Sequence, residues 1–395
     1  LPKGYQISQY EYPLAERGRL VVDTSEGERV IRIRRAHLEE DTGKLTHLTD
    51  GQPRSLVDLN RAGVPLLEIV TEPDMHSLEE VRAYATSLRA LLRALGVNSG
   101  DMEKGVIRFE ANVSIRPQGS QELGTRVEIK NLNSFRAMER ATAYELERQA
   151  ALLDQGKTVA QETLGWSESE GRTYTQRSKE EAHDYRYFPE PDLPPLVVEA
   201  AWVEQVAAGL PELPRARQQR FIQTYQLSAT DARLLAEETE TAAFYEAVVA
   251  AGAPARLAAN YLLGEVFGWM NTSGEALSAL RVTPQSFAGL MQIVEGGRIN
   301  QNTAKTVLAE MLRSGREAGE IITAAGLEQV SDGDVITDLV AKVLQENPGE
   351  VQSYLDGKET LANWFFGQVM KAAAGRANPQ VLRRELARQL STLKR

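Results

Sequence analysis

No cysteine occurs in the 395 residues, which removes disulfides, thiolate zinc sites and a cysteine nucleophile from consideration. The four histidines, His37, His47, His76 and His183, show no H-E-x-x-H spacing, so the zinc-protease arrangement is excluded. G-x-x-x-x-G-K-[ST] is also missing, because Gly43-Lys44 runs on into Leu45 and lacks the upstream glycine. With no G-x-G-x-x-G either, any nucleotide is used through neither a P-loop nor a dinucleotide crevice. There is no run of about eighteen apolar residues, and the opening LPKGYQISQY has neither the basic start nor the apolar stretch of a signal peptide. A cytoplasmic home is expected. No internal repeat or low-complexity tract appears. A chain that opens at Leu1-Pro2 rather than Met leads us to expect that an upstream segment is missing.

What is present reads as a folded protein of two or three domains, with 42% apolar and 25% charged residues. The net charge of -10 argues against a uniformly basic nucleic-acid binder, so charge has to be read by region. From Val21 to about Thr175 short alternating runs such as Val30 to Arg34 and Val106 to Ile115 predict strands, interrupted by two helices. The first helix spans about Leu78 to Leu95, with Ser77 and Glu80 as a capping box and Gly96 beyond its end; the second spans about Ser134 to Gln155 and stops at Gly156. The proline-rich DYRYFPEPDLPPL at 184–196 is an extended border. After Pro214 the pattern is helical, with breaks near Pro254, Pro284 and Asn347-Pro348. The fold class is therefore α+β followed by all-α parts, with divisions expected at 1–200, 201–283 and 284–395.

Three clusters could carry chemistry. Gln118 to Gly124 reads as a turn joining two strands, which places Arg108, Glu110, Asn112, Ser114 and Arg116 on one face and brings Arg126, Glu128 and Lys130 alongside. Such a floor is either a solvated outer face or a seat for metal and phosphates. His37, Glu39, Glu40 and Asp41 follow a strand and could hold a hard cation. Glu68 interrupts an otherwise apolar run, Val64 to Val70, where an acid is costly unless paired or on a ligand. In the last 25 residues Lys371, Arg376, Arg383, Arg384, Arg388, Lys394 and Arg395 are opposed only by Glu385. This asymmetry suits a phosphate backbone, although a solvated helix face would look the same.

Long motifs in one order tie these segments together: KGYQISQY at 3–10, HLEEDTGKLTH at 37–47, SLVDLNRAGVPLLEIVTEPD at 55–74, RFEANVSIRP at 108–117 and VEIKNLNSF at 127–135. DYRYFPEPDLPPL at 184–196, LPRARQQRF at 213–221 and FFGQVMKAAAGRANPQ at 365–380 continue the series. Together they resemble the GatB family, the B subunit of the aspartyl/glutamyl-tRNA(Asn/Gln) amidotransferase. The resemblance implies a cradle-like α+β domain that binds ATP and Mg2+, a helical domain, and a tail similar to the YqeY family that holds tRNA. It implies a ligase subunit in a heterotrimer with an amidase subunit (GatA) and a small subunit (GatC). That complex phosphorylates the side-chain carboxylate of glutamate on tRNA(Gln) or aspartate on tRNA(Asn), and ammonia from glutamine displaces the phosphate. Carried over by position, Glu40, Glu68 and Glu128 match metal ligands. Glu128, Glu110 and Lys130 match catalytic positions, Lys3 and Arg108 lie near phosphates, and Lys371, Arg376, Arg383 and Arg384 fall to the tRNA. Glu110 stands where many members have Asp, and the family's G-L-E-V-H stretch, a further source of ligands, is absent from this sequence. A different class of function, a non-catalytic tRNA-binding scaffold whose acids only brace the fold, uses the same residues.

Overall fold

A computed structural model describes residues 7–48, 54–178, 190–328, 333–373 and 375–394. It divides into two compact units, Leu1–Leu213 and Pro214–Arg395. In the first unit β1 (Ala15–Thr24), β2 (Gly27–Glu40) and β5 (Pro65–Thr71) form an antiparallel sheet, and β3 (Lys44–His47) pairs with β4 (Ser55–Asp58). A second sheet has the order β6 (Phe109–Val113), β7 (Val127–Leu132), β8 (Glu162–Ser167) and β9 (Arg172–Ser178). The expected β6–β7 hairpin is antiparallel, whereas β7 and β8 run parallel, as they must when a helix crosses between them.

That helix is α2 (Phe135–Asp154), and α1 (Leu78–Ala94) precedes β6. Both begin where the sequence indicates: Ser77 and Glu80 form a complete capping box, and the Ser134 side chain accepts from the Ala137 amide. The glycines expected beyond their ends, Gly96 and Gly156, have φ of 67° and 69°, the left-handed conformation that tolerates glycine best. Tyr84, Leu88 and Leu92 of α1 pack with Val22, Ile31, Met102 and Ile107 under the first sheet. Ala85 of α1 joins Met138 and Ala141 of α2 over Val113, Ile129 and Leu132 of the second. Both sheets thus present a covered apolar face, which leaves their other faces for polar side chains.

After β9 comes the short α3 (Ala200–Ala208). The second unit is helical, as expected after Pro214: α4 (Pro214–Tyr225), α5 (Ala229–Glu237), α6 (Thr239–Ala250), α7 (Ala255–Tyr261), α8 (Phe267–Ser273), α9 (Pro284–Glu295), α10 (Gln301–Ser314) and α11 (Ala318–Ala325). Then follow α12 (Gly333–Glu346), α13 (Pro348–Leu355), α14 (Leu361–Ala372) and α15 (Pro379–Leu393). Pro254 caps α7, while Pro284 and Pro348 open α9 and α13, where a missing N–H does no harm. One core runs from Phe221 to Ile322 and a second from Ile336 to Leu390. Packing therefore divides this unit after Leu327; helices on both sides of residue 283 share the first core. No helix among the described residues is long and apolar enough to cross a membrane.

Candidate functional site

The antiparallel register sets His37 opposite Glu68. His37 Nε2 lies 3.0 Å from Glu68 Oε2 and 3.7 Å from Glu39 Oε2, and one ligand atom from each of the three residues falls within 4.8 Å of the others. The imidazole is fully buried, its ring edge-on to Tyr10, and neither nitrogen has a hydrogen-bond partner among the described residues. Burial lowers its pKa, helped by Arg35 and opposed by Glu68, so the ring is neutral at pH 7 and offers a lone pair. The Glu39 carboxyl is pushed up to about 7, first by burial and then by Glu68, Glu110 and Asp41, with Lys130 pulling the other way. Carboxylates so crowded are at rest only with a proton or a cation among them.

A register irregularity explains how this cluster escapes the core. Ile33 pairs with Thr71 but Arg35 pairs with Val70, so β2 holds one residue more than β5, as in a bulge. Ile31 and Ile33 face the same core as Ile69, whereas His37 and Glu68, its alternating neighbours in register, turn to the opposite face. A second irregularity between Phe109 and Ala111 lets Val127, Ile129 and Leu132 all be buried while Glu128 and Lys130 share the polar face.

On that face Lys130 Nζ donates to Glu110 at 3.1 Å and stands 3.5 Å from Glu128 Oε1. Partial burial works against its charge, but the two carboxylates outweigh it and hold its pKa above the ordinary value. Glu128 Oε2 accepts from Thr163 Oγ1 at 3.0 Å, across the parallel β7–β8 pairing. Asp41 is gripped by Arg61 at 3.0 Å and Arg108 at 3.3 Å, and Arg61 also donates to the Gly105 carbonyl. The end of the KGYQISQY motif lies along β2: the Gln9 amide donates to Leu38 O at 2.9 Å, and Glu40 N donates to Ile7 O at 3.1 Å.

The structure thus brings Glu68, Glu110, Glu128 and Lys130 onto the polar faces of two sheets, whose flanking segments are tied by the ion pair of Arg108 on Asp41. Glu40, opposite Pro65, alternates to the other face of β2 from Glu39, so it is Glu39 that stands beside Glu68. Lys3 lies outside the described residues. The sequence offers His37 and Glu39, together with Glu40 and Asp41, as a cation cluster, and the structure groups His37 and Glu39 with Glu68; the carry-over by position singles out Glu40 from that cluster. Thr163 as the partner of Glu128 has no signal in the sequence, since it depends on a parallel pairing. In the tail, Lys371 and Arg384 are exposed, and Arg383 lies over the Phe366 ring at 5.0 Å. Arg376 is instead tied inward, donating to the Gly326 carbonyl at 2.8 Å.

The chain is similar to known proteins over nearly its whole length. The GatB/GatE catalytic domain matches residues 1–204 and the GatB domain matches residues 243–390. The B subunit of the aspartyl/glutamyl-tRNA(Asn/Gln) amidotransferase of Herpetosiphon aurantiacus is 50% identical over 395 residues, covering 99% of this chain and 81% of that protein. The protein of the same name from Myxococcus xanthus is 47% identical over 390 residues, with the same coverage of each chain. The chain belongs to the GatB family, the B subunits of the aspartyl/glutamyl-tRNA(Asn/Gln) amidotransferase.

Proposed function

We propose that the chain carries the activating step of that amidotransferase: ATP-dependent phosphorylation of the side-chain carboxylate of glutamate on tRNA(Gln), or aspartate on tRNA(Asn), before ammonia attacks. The observation that carries this reading is the convergence of His37, Glu39, Glu68, Glu110, Glu128 and Lys130 on polar faces that the fold has turned away from its cores. A carboxylate resists ammonia until one of its oxygens becomes a phosphate leaving group. The enzyme's task is then alignment and charge, with no nucleophilic residue required.

His37, Glu39 and Glu68 fit a divalent cation: a neutral imidazole without a hydrogen-bond partner among the described residues and two carboxylates, one of them held far from its ordinary pKa. Such a cation, Mg2+ in this reading, would neutralise phosphate charge. Lys130 offers a cation to a phosphate or to the substrate carboxylate. Glu110 and Glu128 fix its position, and Thr163 fixes Glu128. Arg108 and Arg61, both on Asp41, stand ready to exchange that carboxylate for phosphate oxygens. Exposed Lys371, Arg383 and Arg384 would hold the tRNA backbone. Ammonia would come from a separate amidase subunit, GatA, assembled with GatC, and the complex would work in the cytoplasm.

The test is amide formation on mis-charged tRNA by the reconstituted complex with free ammonia, which bypasses the amidase. A Glu128→Gln complex that binds tRNA normally and still forms amide at the parental rate would hand the site to the scaffold reading.

A further inference from the structure

The stretch from Pro191 to Glu212 is exposed at every residue, yet its composition is that of an interior. Leu193, Leu196, Val197, Val198, Trp202, Val203, Val206 and Leu210 all stand open, with Trp202 50% and Val197 72% accessible. Trp202, Val203, Val206 and Leu210 recur at helical spacing along and just beyond α3, which buries none of its residues, so they form one apolar stripe. A helix of nine residues without a side-chain cap is marginal in water by itself. Soluble chains rarely leave so contiguous an apolar surface uncovered.

Charge decides what covers it. Between 190 and 213 there are five acids, Glu190, Asp192, Glu199, Glu204 and Glu212, and no lysine or arginine. Phosphate backbones and anionic lipid headgroups are repelled by such a segment. We infer that the 191–212 segment, with the Trp202–Val206 stripe of α3 at its centre, is the docking surface for a protein subunit of the complex that presents an apolar groove rimmed by Lys and Arg. This rests on the reading of the chain as one subunit of an assembly, and it names the part of the chain that makes the contact. The mode is a helix laid in a groove with a tryptophan anchor.

The experiment has two arms. Hydrogen exchange of the 200–208 amides is followed in the full chain alone, with tRNA alone, and with the amidase and small subunits. Binding of those subunits is then measured for the parent, for Trp202→Glu/Val206→Glu, and for Trp202→Phe. Protection is expected only with the protein subunits. The double variant should bind them about 30-fold or more weakly, Trp202→Phe within a few fold, and far-UV circular dichroism should not change because neither side chain is buried. Affinity should fall as salt is raised. Protection already present in the chain alone, or conferred by tRNA, overturns the inference, as does a double variant that assembles like the parent. If the parent itself fails to assemble, the subunit reading falls with it; if the parent assembles and α3 is indifferent, only the docking surface is wrong.

Discussion

Replacing Glu39 by Gln should make the cation-free protein more stable and the cation-bound protein less so. Its carboxyl sits at about 7 against an ordinary 4.5, so the fold favours its protonated form. That contribution is fully present below about pH 4.5 and is lost as pH rises through about 7. At pH 8 the ionised wild type therefore bears a cost whose ceiling is about 3.4 kcal/mol. With the side chain still 15% exposed and free to relax, about 1 to 2 kcal/mol is a realistic share. Gln keeps the shape without the charge, so Glu39→Gln should gain that amount at pH 8 in the presence of a chelator, shrinking to a fraction of it by pH 5. A divalent cation at 100 times its dissociation constant should add about 2.7 kcal/mol to the wild type and far less to the variant, reversing their order. Hydrogen exchange of β2 and β5 amides reports stability in the unit concerned. A variant less stable than the wild type at pH 8 without cation, or a difference independent of pH, would refute the account of this cluster.

Glu128→Gln, assayed with free ammonia, should lose about a hundredfold or more in amide formation, the usual cost of about 2.7 to 4 kcal/mol for one preorganised electrostatic partner, while its melting temperature holds. Glu68→Gln should weaken Mn2+ binding, read by electron paramagnetic resonance, and Glu40→Gln should not; equal losses would restore Glu40 to the site. Lys371→Ala/Arg384→Ala should lower the salt slope of tRNA binding by about 1.4 to 1.8, at about 0.7 to 0.9 per phosphate contact, and an unchanged slope would leave the tail a solvated face. Ser77→Ala should destabilise the first unit by about 1 kcal/mol in urea, since its hydroxyl accepts from the Glu80 amide at 3.1 Å.

Local rules served well where local physics decides. The caps of α1 and α2, the proline starts of α7, α9 and α13, and the alternation around Glu128 all depend on a few neighbouring residues. The site was harder because two departures from alternation build it. Counting in twos from Ile31 and Ile33 sends His37 and Glu39 into the core and leaves Glu40 on the polar face, in accord with the choice of Glu40 by position. The extra residue in β2 reverses that assignment, and nothing in Arg34-Arg35-Ala36 announces it. The β7–β8 pairing that supplies Thr163 was equally hidden, since it joins residues separated by the whole of α2. The division of the helical unit after Leu327 also lay beyond local reading, because Pro284 looks like a border while only tertiary contact shows Phe287 and Met291 in the same core as Phe221.

The bulge in β2 also sets which genetic changes this strand can survive. A point substitution at Arg34 or Arg35 alters one side chain, and a single-codon deletion there would take out the extra residue together with the bulge, leaving Ala36, His37 and Glu39 on the faces and opposite the β5 partners they already have. Removing two codons is different: the downstream segment slips by one residue against β5, about 3.4 Å, and every side chain in it turns to the other face. His37 and Glu39 would then be driven into the apolar layer with Ile31, and Glu40 would surface in their place. The strand should therefore survive the loss of one residue at the bulge and fail on the loss of two.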